Sequence, residues 1–339
     1  MIFRAQKNIQ KRTILDEKNL KKTFSNNTLL ITGAGSISSA IIEELQKKII
    51  FKLLIVIDNS ELSLFNLRNK LKGRINIIYL LGTINDKIKL DNIFKRYNPE
   101  IVIHTAAYKH VDLLENDIYE AIKVNVEGTI NLFKLSKKYK VNQFVFISTD
   151  KAVYPINNMG VTKKIAELYL ESTIFRKKMF VKILRFGNVI ESNGSFTSAL
   201  KEYKNKTINL RGNNTTRYFI YKDVVAKSIL NLLNIKTNGK FILEMSSPIK
   251  ISSIVKYYNI DKKVKVIDLL QGEKENEDLL YKNEIITKTN YEIIFKIKYN
   301  KSNKHSYIND INELIKYNNR FDSKKLNEKL SYFKNEFKK

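Results

Sequence analysis

The stretch Leu29-Leu30-Ile31-Thr32-Gly33-Ala34-Gly35-Ser36-Ile37-Ser38-Ser39 decides the fold. A short apolar run leads into a glycine turn and then into a helical-period segment, the arrangement in which a buried strand hands a phosphate to a helix N-terminus. Glycine there tolerates positive φ and lets the backbone approach a pyrophosphate closely. The third glycine of the usual spacing is absent, with Ser38 in its place. Alone, the turn is as compatible with a structural bend as with a ligand site. Asp58 adds the second signal, because it ends the next apolar run 25 residues after Gly33. A carboxylate at that spacing accepts hydrogen bonds from the adenosine ribose and repels a 2′-phosphate, so the pair predicts NAD rather than NADP.

Working outward, Leu29–Thr32, Leu53–Ile57, Ile75–Leu81, Ile101–His104, Phe144–Ile147 and Val181–Leu184 are apolar runs separated by helical-period segments. Continuous rather than alternating apolar runs indicate strands buried on both faces, and the alternation with helices indicates right-handed βαβ crossovers. The expected fold class is therefore α/β, a doubly wound parallel sheet of the Rossmann type with a smaller substrate-binding part. Residues 28–189 form the expected NAD-binding domain. Residues 1–27 read as an N-terminal arm laid against it, with a short helix around Asp16–Thr23. Residues 190–298 read as the substrate-binding part, crossing back in places to the main domain, and 299–339 as a C-terminal helical tail.

Composition narrows the function classes. The chain has 339 residues, 43% of them apolar and none of them cysteine, so it can bury a large core and uses neither disulfides nor thiolate chemistry. No metal site is expected. No apolar run approaches the roughly 20 residues of a membrane span, and the N-terminus lacks the apolar block of a signal peptide. A soluble cytoplasmic protein is the expectation. The formal charge of +27 invites a nucleic-acid role, but only ten of the 61 cations are Arg and the lysines are scattered among Asn and Ile. No nucleic-acid motif accompanies them, so compositional drift is the preferred account and no nucleic-acid partner is expected.

Polar groups at strand carboxyl ends line the ligand crevice of such sheets. Ser148-Thr149-Asp150-Lys151 follows the fifth run, and Met159-Gly160-Val161-Thr162-Lys163 opens a helix eight residues after Lys151. A hydroxyl, a carboxylate and two ammonium groups thereby converge where a nicotinamide would lie. A helix cap and a solvated lysine are the bland alternative. Ala106-Ala107-Tyr108-Lys109-His110, Asn125 and Arg185-Phe186-Gly187-Asn188-Val189 are further candidates. His110 could equally be a packed surface histidine, and Asn125 a helix-face amide.

These residues, with Ile103–Val111, Gly128, Thr216-Arg217-Tyr218-Phe219 and Gly272-Glu273-Lys274, resemble the extended short-chain dehydrogenases, specifically the CapD-like polysaccharide-biosynthesis branch that contains UDP-N-acetylglucosamine 4,6-dehydratases. Most short-chain dehydrogenases carry Tyr four residues before the active-site Lys. One largely membrane-attached subgroup of this branch carries Met, as at Met159. The resemblance implies NAD as cofactor, a UDP-linked N-acetylhexosamine as substrate, and dehydration to a 4-keto-6-deoxy sugar nucleotide. It assigns Thr149 to the sugar 4-hydroxyl, Asp150 to proton shuttling and the leaving C6 hydroxyl, Lys151 to the C5 proton, and Lys163 to the nicotinamide ribose. Gly33, Gly35, Ser36, Ile37, Asp58, Asp86, Ala106, Ala107, Lys109, Asn125 and Lys163 form the implied cofactor set. Lys109, His110, Asn188, Arg217 and Glu273 form the implied substrate set.

The chain departs from the branch at Ser38 (usually Gly), Thr83 (usually acidic), Asn193 (usually Arg) and Leu270-Gln271 (usually Arg-Pro). Two of these are cations expected near the nucleotide. A UDP-sugar 4-epimerase and a catalytically silent nucleotide-sugar-binding paralogue are the competing expectations, the first weakened by Met159 and the second by the retained Asp150 and Lys151. Members of the branch pair through helices beside the active site, so a homo-oligomer is expected, with Ile118–Tyr139 in its interface.

Overall fold

The computed structural model describes residues 3–48, 51–71, 76–173, 179–202, 207–212, 214–258, 264–270, 272–300 and 306–339. Six parallel strands make its centre: β1 (Thr28–Thr32), β2 (Leu53–Asp58), β3 (Ile77–Leu81), β4 (Ile101–His104), β5 (Gln143–Ile147) and β6 (Phe180–Arg185). They are the six expected runs, with Ile75 outside the described residues. Every residue of β1, β4 and β5 is buried, and a strand covered by helices on both faces is apolar along most of its length rather than at alternate positions. The spatial order is β3-β2-β1-β4-β5-β6. Its direction reverses between β1 and β4, and a crevice opens outside the carboxyl ends of those two strands.

Beyond β6 the chain returns to the same sheet. Gly239–Leu243 pairs parallel with β6, and the antiparallel strands Ile294–Tyr299 and Glu284–Lys288 complete nine strands. Between these returns, small two-stranded pairings such as Asn188–Ile190 with Phe219–Tyr221 surround a minor core of Ile190, Ile208, Leu210, Phe219 and Ile254. Ile208 and Leu210 share one face of the strand Ile208–Arg211, two residues apart, which is why both reach that core.

The N-terminal arm folds as two helices, Arg4–Arg12 and Glu17–Phe24, the second capped by the Asp16 carboxylate. It is held on helix Lys222–Asn234 by Gln10 donating to Asp223 and Asn231 donating to the Ile14 carbonyl, both at 2.8 Å. The tail forms helices Ile308–Asn319 and Ser323–Glu336. Their apolar stripe of Ile311, Leu314, Leu326, Leu330 and Phe333 joins the core cluster containing Ile122, Val126, Ile130 and Val161. Asn318 donates to the Tyr119 carbonyl, and the Tyr119 and Phe321 rings lie 5.0 Å apart. Part of the face of Ile118–Tyr139 expected to meet another subunit is thus covered by this chain's own tail. Among the described residues no helix is long and apolar enough to cross a membrane.

Behind β5 and β6 lies a buried ion network. Arg185 grips Glu167 with two hydrogen bonds, Nε to Oε1 at 2.8 Å and Nη2 to Oε2 at 2.6 Å, and gives Nη1 to Glu284 at 2.8 Å. Lys240 meets Glu284 at 2.7 Å, and Ser148 donates to Glu167 at 2.6 Å. Burial alone would raise the Glu167 carboxyl, yet Arg185 holds it below the usual carboxylate range. Removing one partner of such a pair strands the other charge in a dry interior. Glu167→Ala should therefore cost about 3–5 kcal/mol in equilibrium urea unfolding. Arg12→Ala, which breaks half-exposed surface pairs to Glu244 and Glu292, should cost under about 1 kcal/mol. Equal losses would contradict this ranking.

Candidate active site

The crevice at the β1–β4 reversal is a cavity of about 450 Å³, within the range of small-molecule sites. Gly33, Gly35, Ser36, Ile37 and Asp58 line one end, Ala106, Ala107, Lys109 and His110 one wall, and Thr149, Lys151, Met159, Lys163 and Asn188 the other end. Asp86, Asn125, Asp150, Arg217 and Glu273 are outside this lining.

At the first end, Gly33 has φ +90°, and a Cβ there would lie 2.8 Å from Thr105 Oγ1. Only glycine makes this turn without strain. Asp58 is fixed by two backbone donors, Ala34 N–H to Oδ2 and Ser60 N–H to Oδ1, each at 2.6 Å. The carboxylate is therefore held rigidly at the cavity rim while keeping lone pairs for further donors. Ser38 lies outside the turn proper: it is fully buried, and its hydroxyl meets Thr105 Oγ1 at 2.8 Å. The extra hydroxyl is thus absorbed by a neighbouring threonine.

At the other end, Thr149 donates to Asp150 Oδ1 at 2.8 Å, and Lys151 Nζ donates to the same oxygen and to Asn188 Oδ1, both at 3.1 Å. Asp150 is fully buried, and its Oδ2 has no hydrogen-bond partner among the described residues. Burial would lower the Lys151 ammonium, but Asp150 and Glu277 outweigh it and raise the pKa above the usual lysine value. Lys163 is different. Its Nζ donates to the Ile147 carbonyl at 2.8 Å and lies 4.5 Å from the Phe146 ring centre, and burial pulls its pKa down to about 7. Met159 packs with Leu114 and Ala121.

Local sequence explains why these groups meet. Asn157 caps helix Asn158–Glu171 by accepting from Gly160 N–H at 2.7 Å, and its amide donates to the Gly272 carbonyl. A Cβ on Gly160 would fall 2.3 Å from the Lys151 carbonyl oxygen, so glycine is what lets the helix seat against the Asp150–Ala152 turn.

The residues outside the lining have identifiable contacts. Asn125 lies in a π-helical turn, Lys123–Gly128, accepts from Tyr108 N–H at 2.9 Å, and donates to the Tyr108 carbonyl at 3.0 Å and Thr162 Oγ1 at 3.1 Å. It clamps the cavity wall to the helix. Asp86 caps helix Lys87–Tyr97 instead of facing the cavity. Arg217 donates to the Thr216 and Glu275 carbonyls, while Glu273 accepts from Arg211 and Leu270 N–H. At Asn193 the backbone makes the contacts, its N–H to Ser36 Oγ at 2.8 Å and its carbonyl to Lys109 Nζ at 2.6 Å. Thr83 lines the cavity, and Gln271 is outside the described residues. Glu277, not singled out from the sequence, lies 3.5 Å from Lys151. Its only sequence signal is its place in the acidic stretch after Gly272-Glu273-Lys274.

Over residues 29–299 the chain matches the family described as "Polysaccharide biosynthesis protein". It is 33% identical to the capsular polysaccharide biosynthesis protein CapD of Staphylococcus aureus over 84% of this chain, and spans only 50% of that relative. A UDP-glucose 4-epimerase of Rickettsia bellii is 28% identical, covering 77% of this chain and 80% of the relative. A UDP-N-acetylglucosamine 4,6-dehydratase (inverting) of Campylobacter jejuni is 26% identical, covering 76% and 78%. The solved structure of Pen from Bacillus thuringiensis superposes with a TM-score of 0.74 at 28% identity, over 84% of this chain and 90% of that one.

The depressed Lys163 pKa carries a stability signature. An unfolded lysine titrates near 10.4, so between about 7 and that value the unfolded chain binds the extra proton and stability rises with pH. Lys163→Met should stabilise the ligand-free protein at pH 6 by up to a few kcal/mol, with the advantage shrinking toward pH 10. Chemical unfolding at both pH values checks this. An advantage independent of pH would overturn it.

Proposed function

The chain belongs to the polysaccharide biosynthesis protein family, and on that premise we propose that it is an NAD-dependent dehydratase converting a UDP-linked N-acetylhexosamine to a 4-keto-6-deoxy sugar nucleotide. The observation that carries the reading is the Thr149–Asp150–Lys151 cluster at the end of β5, hydrogen-bonded within itself, with Thr149 and Lys151 lining the same end of the cavity as Met159 and Lys163. The cavity suits NAD: at the first end Gly33 and Gly35 would leave room for the pyrophosphate and Asp58 would take the adenosine ribose, and at the other end Lys163 would take the nicotinamide ribose. When bound, NAD would supply the hydride-transfer chemistry needed at C4 and C6.

The chain's own groups move the protons. Thr149 Oγ1 holds the 4-hydroxyl, whose proton passes to Asp150 through the Thr149–Asp150 hydrogen bond. Lys151 rests as the ammonium; once Nζ has released that proton to solvent, the free amine removes the C5 proton, which the adjacent C4 ketone acidifies. Asp150, fully buried, returns that proton through Thr149 Oγ1 to the departing C6 hydroxyl, so water leaves. Lys151 then returns a proton to C5, and the sum is loss of one water. Met159 has no transferable proton, which disfavours a mechanism that needs an acid–base tyrosine at that position, as the epimerase reading does.

Incubating the protein with UDP-N-acetylglucosamine tests the reading: the product mass should fall by one water. An unchanged mass with altered C4 configuration would instead support epimerisation. Asp150→Asn and Lys151→Ala should each lower the dehydration rate about a hundredfold to ten-thousandfold with NAD binding retained, and Met159→Ala should cost far less. Full activity in Asp150→Asn would sink the mechanism. NAD should bind more tightly than NADP, because the fixed Asp58 carboxylate would face the added phosphate. Calorimetric titration decides this, and equal affinities would refute it.

A further inference from the structure

Glu277 is a buried charge that the proposed reaction leaves unused. Its side chain is 3% exposed, and it faces two ammonium groups: Oε1 lies 3.5 Å from Lys151 Nζ and Oε2 lies 3.6 Å from Lys274 Nζ. Lys274 in turn donates to the Val153 carbonyl at 2.6 Å, which ties the pair to the backbone just past the Asp150–Ala152 turn. Asp150, Lys151, Glu277 and Lys274 alternate in sign along this path. A buried carboxylate is expensive unless it is paired, and a glutamine would fill the same space without that cost. The charge is therefore there for the ammonium groups it faces.

We propose that Glu277 is a positioning residue for Lys151, a second carboxylate grip that, with Asp150 and Asn188, holds Nζ at the cavity wall. This rests on the dehydratase reading, in which Lys151 is the group that meets C5. The charged groups facing Lys151 are Asp150 on its own turn, Glu277 with Lys274 beyond it, and Arg217 from the strand Thr216–Arg217. Glu277 and Asp150 favour the ammonium, while Arg217 opposes it. Neutralising Glu277 lets Nζ lose its proton at lower pH and loosens its position.

The test compares the parent protein with Glu277→Gln and Glu277→Asp. In Glu277→Gln, the plateau kcat for UDP-N-acetylglucosamine, reached above the pH at which Nζ is deprotonated, should fall about tenfold or more because the amine is misplaced, with KM little changed and the rising limb of the pH–rate profile displaced to lower pH. NMR titration of the Lys151 side-chain nitrogen, assigned by its loss in Lys151→Arg, should show the same displacement in the ligand-free protein. Glu277→Asp keeps the charge and should restore most of the activity and the parent titration. If Glu277→Gln does not fold, Glu277→Met, which removes the same charge with a side chain of similar length, takes its place beside Glu277→Asp. An unmoved Lys151 titration in Glu277→Gln, or one displaced in Glu277→Asp as far as in Gln, overturns the proposal. The NMR readout is independent of turnover. A displaced Lys151 titration in a protein that dehydrates no UDP-hexosamine upholds the grip and rejects the dehydratase reading, whereas dehydration with an unmoved titration rejects the grip alone.

Discussion

The Arg185–Glu167 pair is the contact on which the arrangement of the site depends. Its two parallel hydrogen bonds join the end of β6 to helix Asn158–Glu171. The same carboxylate accepts from Ser148 at the end of β5, and Arg185 reaches Glu284 on a strand that arrives about a hundred residues later in the chain. Tyr281, just before that strand, donates to the Ala152 carbonyl at 2.9 Å. The turn holding Asp150 and Lys151 is therefore braced from both sides by groups that are costly to separate. Rigid support of this kind is what fixes proton-transfer groups within reach of a substrate.

Within the braced site, neighbouring lysines are driven in opposite directions. Lys151 has two carboxylates within 3.5 Å and is held as an ammonium, while Lys163 has a carbonyl and an aromatic face for company and titrates near neutrality. His104 behind them is bonded to Thr32 at 2.7 Å and Thr129 at 2.9 Å, and burial drives its pKa down to about 3. It stays neutral and adds no charge to the wall under the cavity. Environment rather than residue type assigns the protonation states, which is the usual way one fold separates acid from base.

The tail contributes in a different way. Helices Ile308–Asn319 and Ser323–Glu336 place their apolar stripe on the helices flanking the site, and Lys164 is sandwiched between the Tyr281 and Phe337 rings at 4.4 and 4.2 Å. A lysine there is masked from water, and burial lowers its pKa to about 8. The helix carrying Met159 and Lys163 is thereby enclosed by its own chain, as is part of the Ile118–Tyr139 face that the sequence suggests for a second subunit.

Much of this was legible in the residues themselves. Continuous apolar runs named the six central strands because burial on both faces favours an apolar side chain at most positions rather than at alternate ones. The glycine turn, Asp58 and the strand-end cluster Thr149-Asp150-Lys151 could be placed at the crevice because strand ends in a doubly wound sheet point there. The resemblance makes Asp86 a ligand group, although an aspartate just before a helical segment is also a natural cap, and only the fold decides between the two. Glu277 and Lys274 lie more than a hundred residues from Lys151 in sequence. What brings them to it is the return of the chain to the sheet through Glu284–Lys288, a pairing that no local pattern encodes. The sequence by itself determined which segments are buried and which strand ends carry chemistry, since periodicity and residue type are local properties. The tertiary structure alone decided which charges neutralise one another and what covers each apolar stripe, since both depend on contacts between segments far apart in the chain.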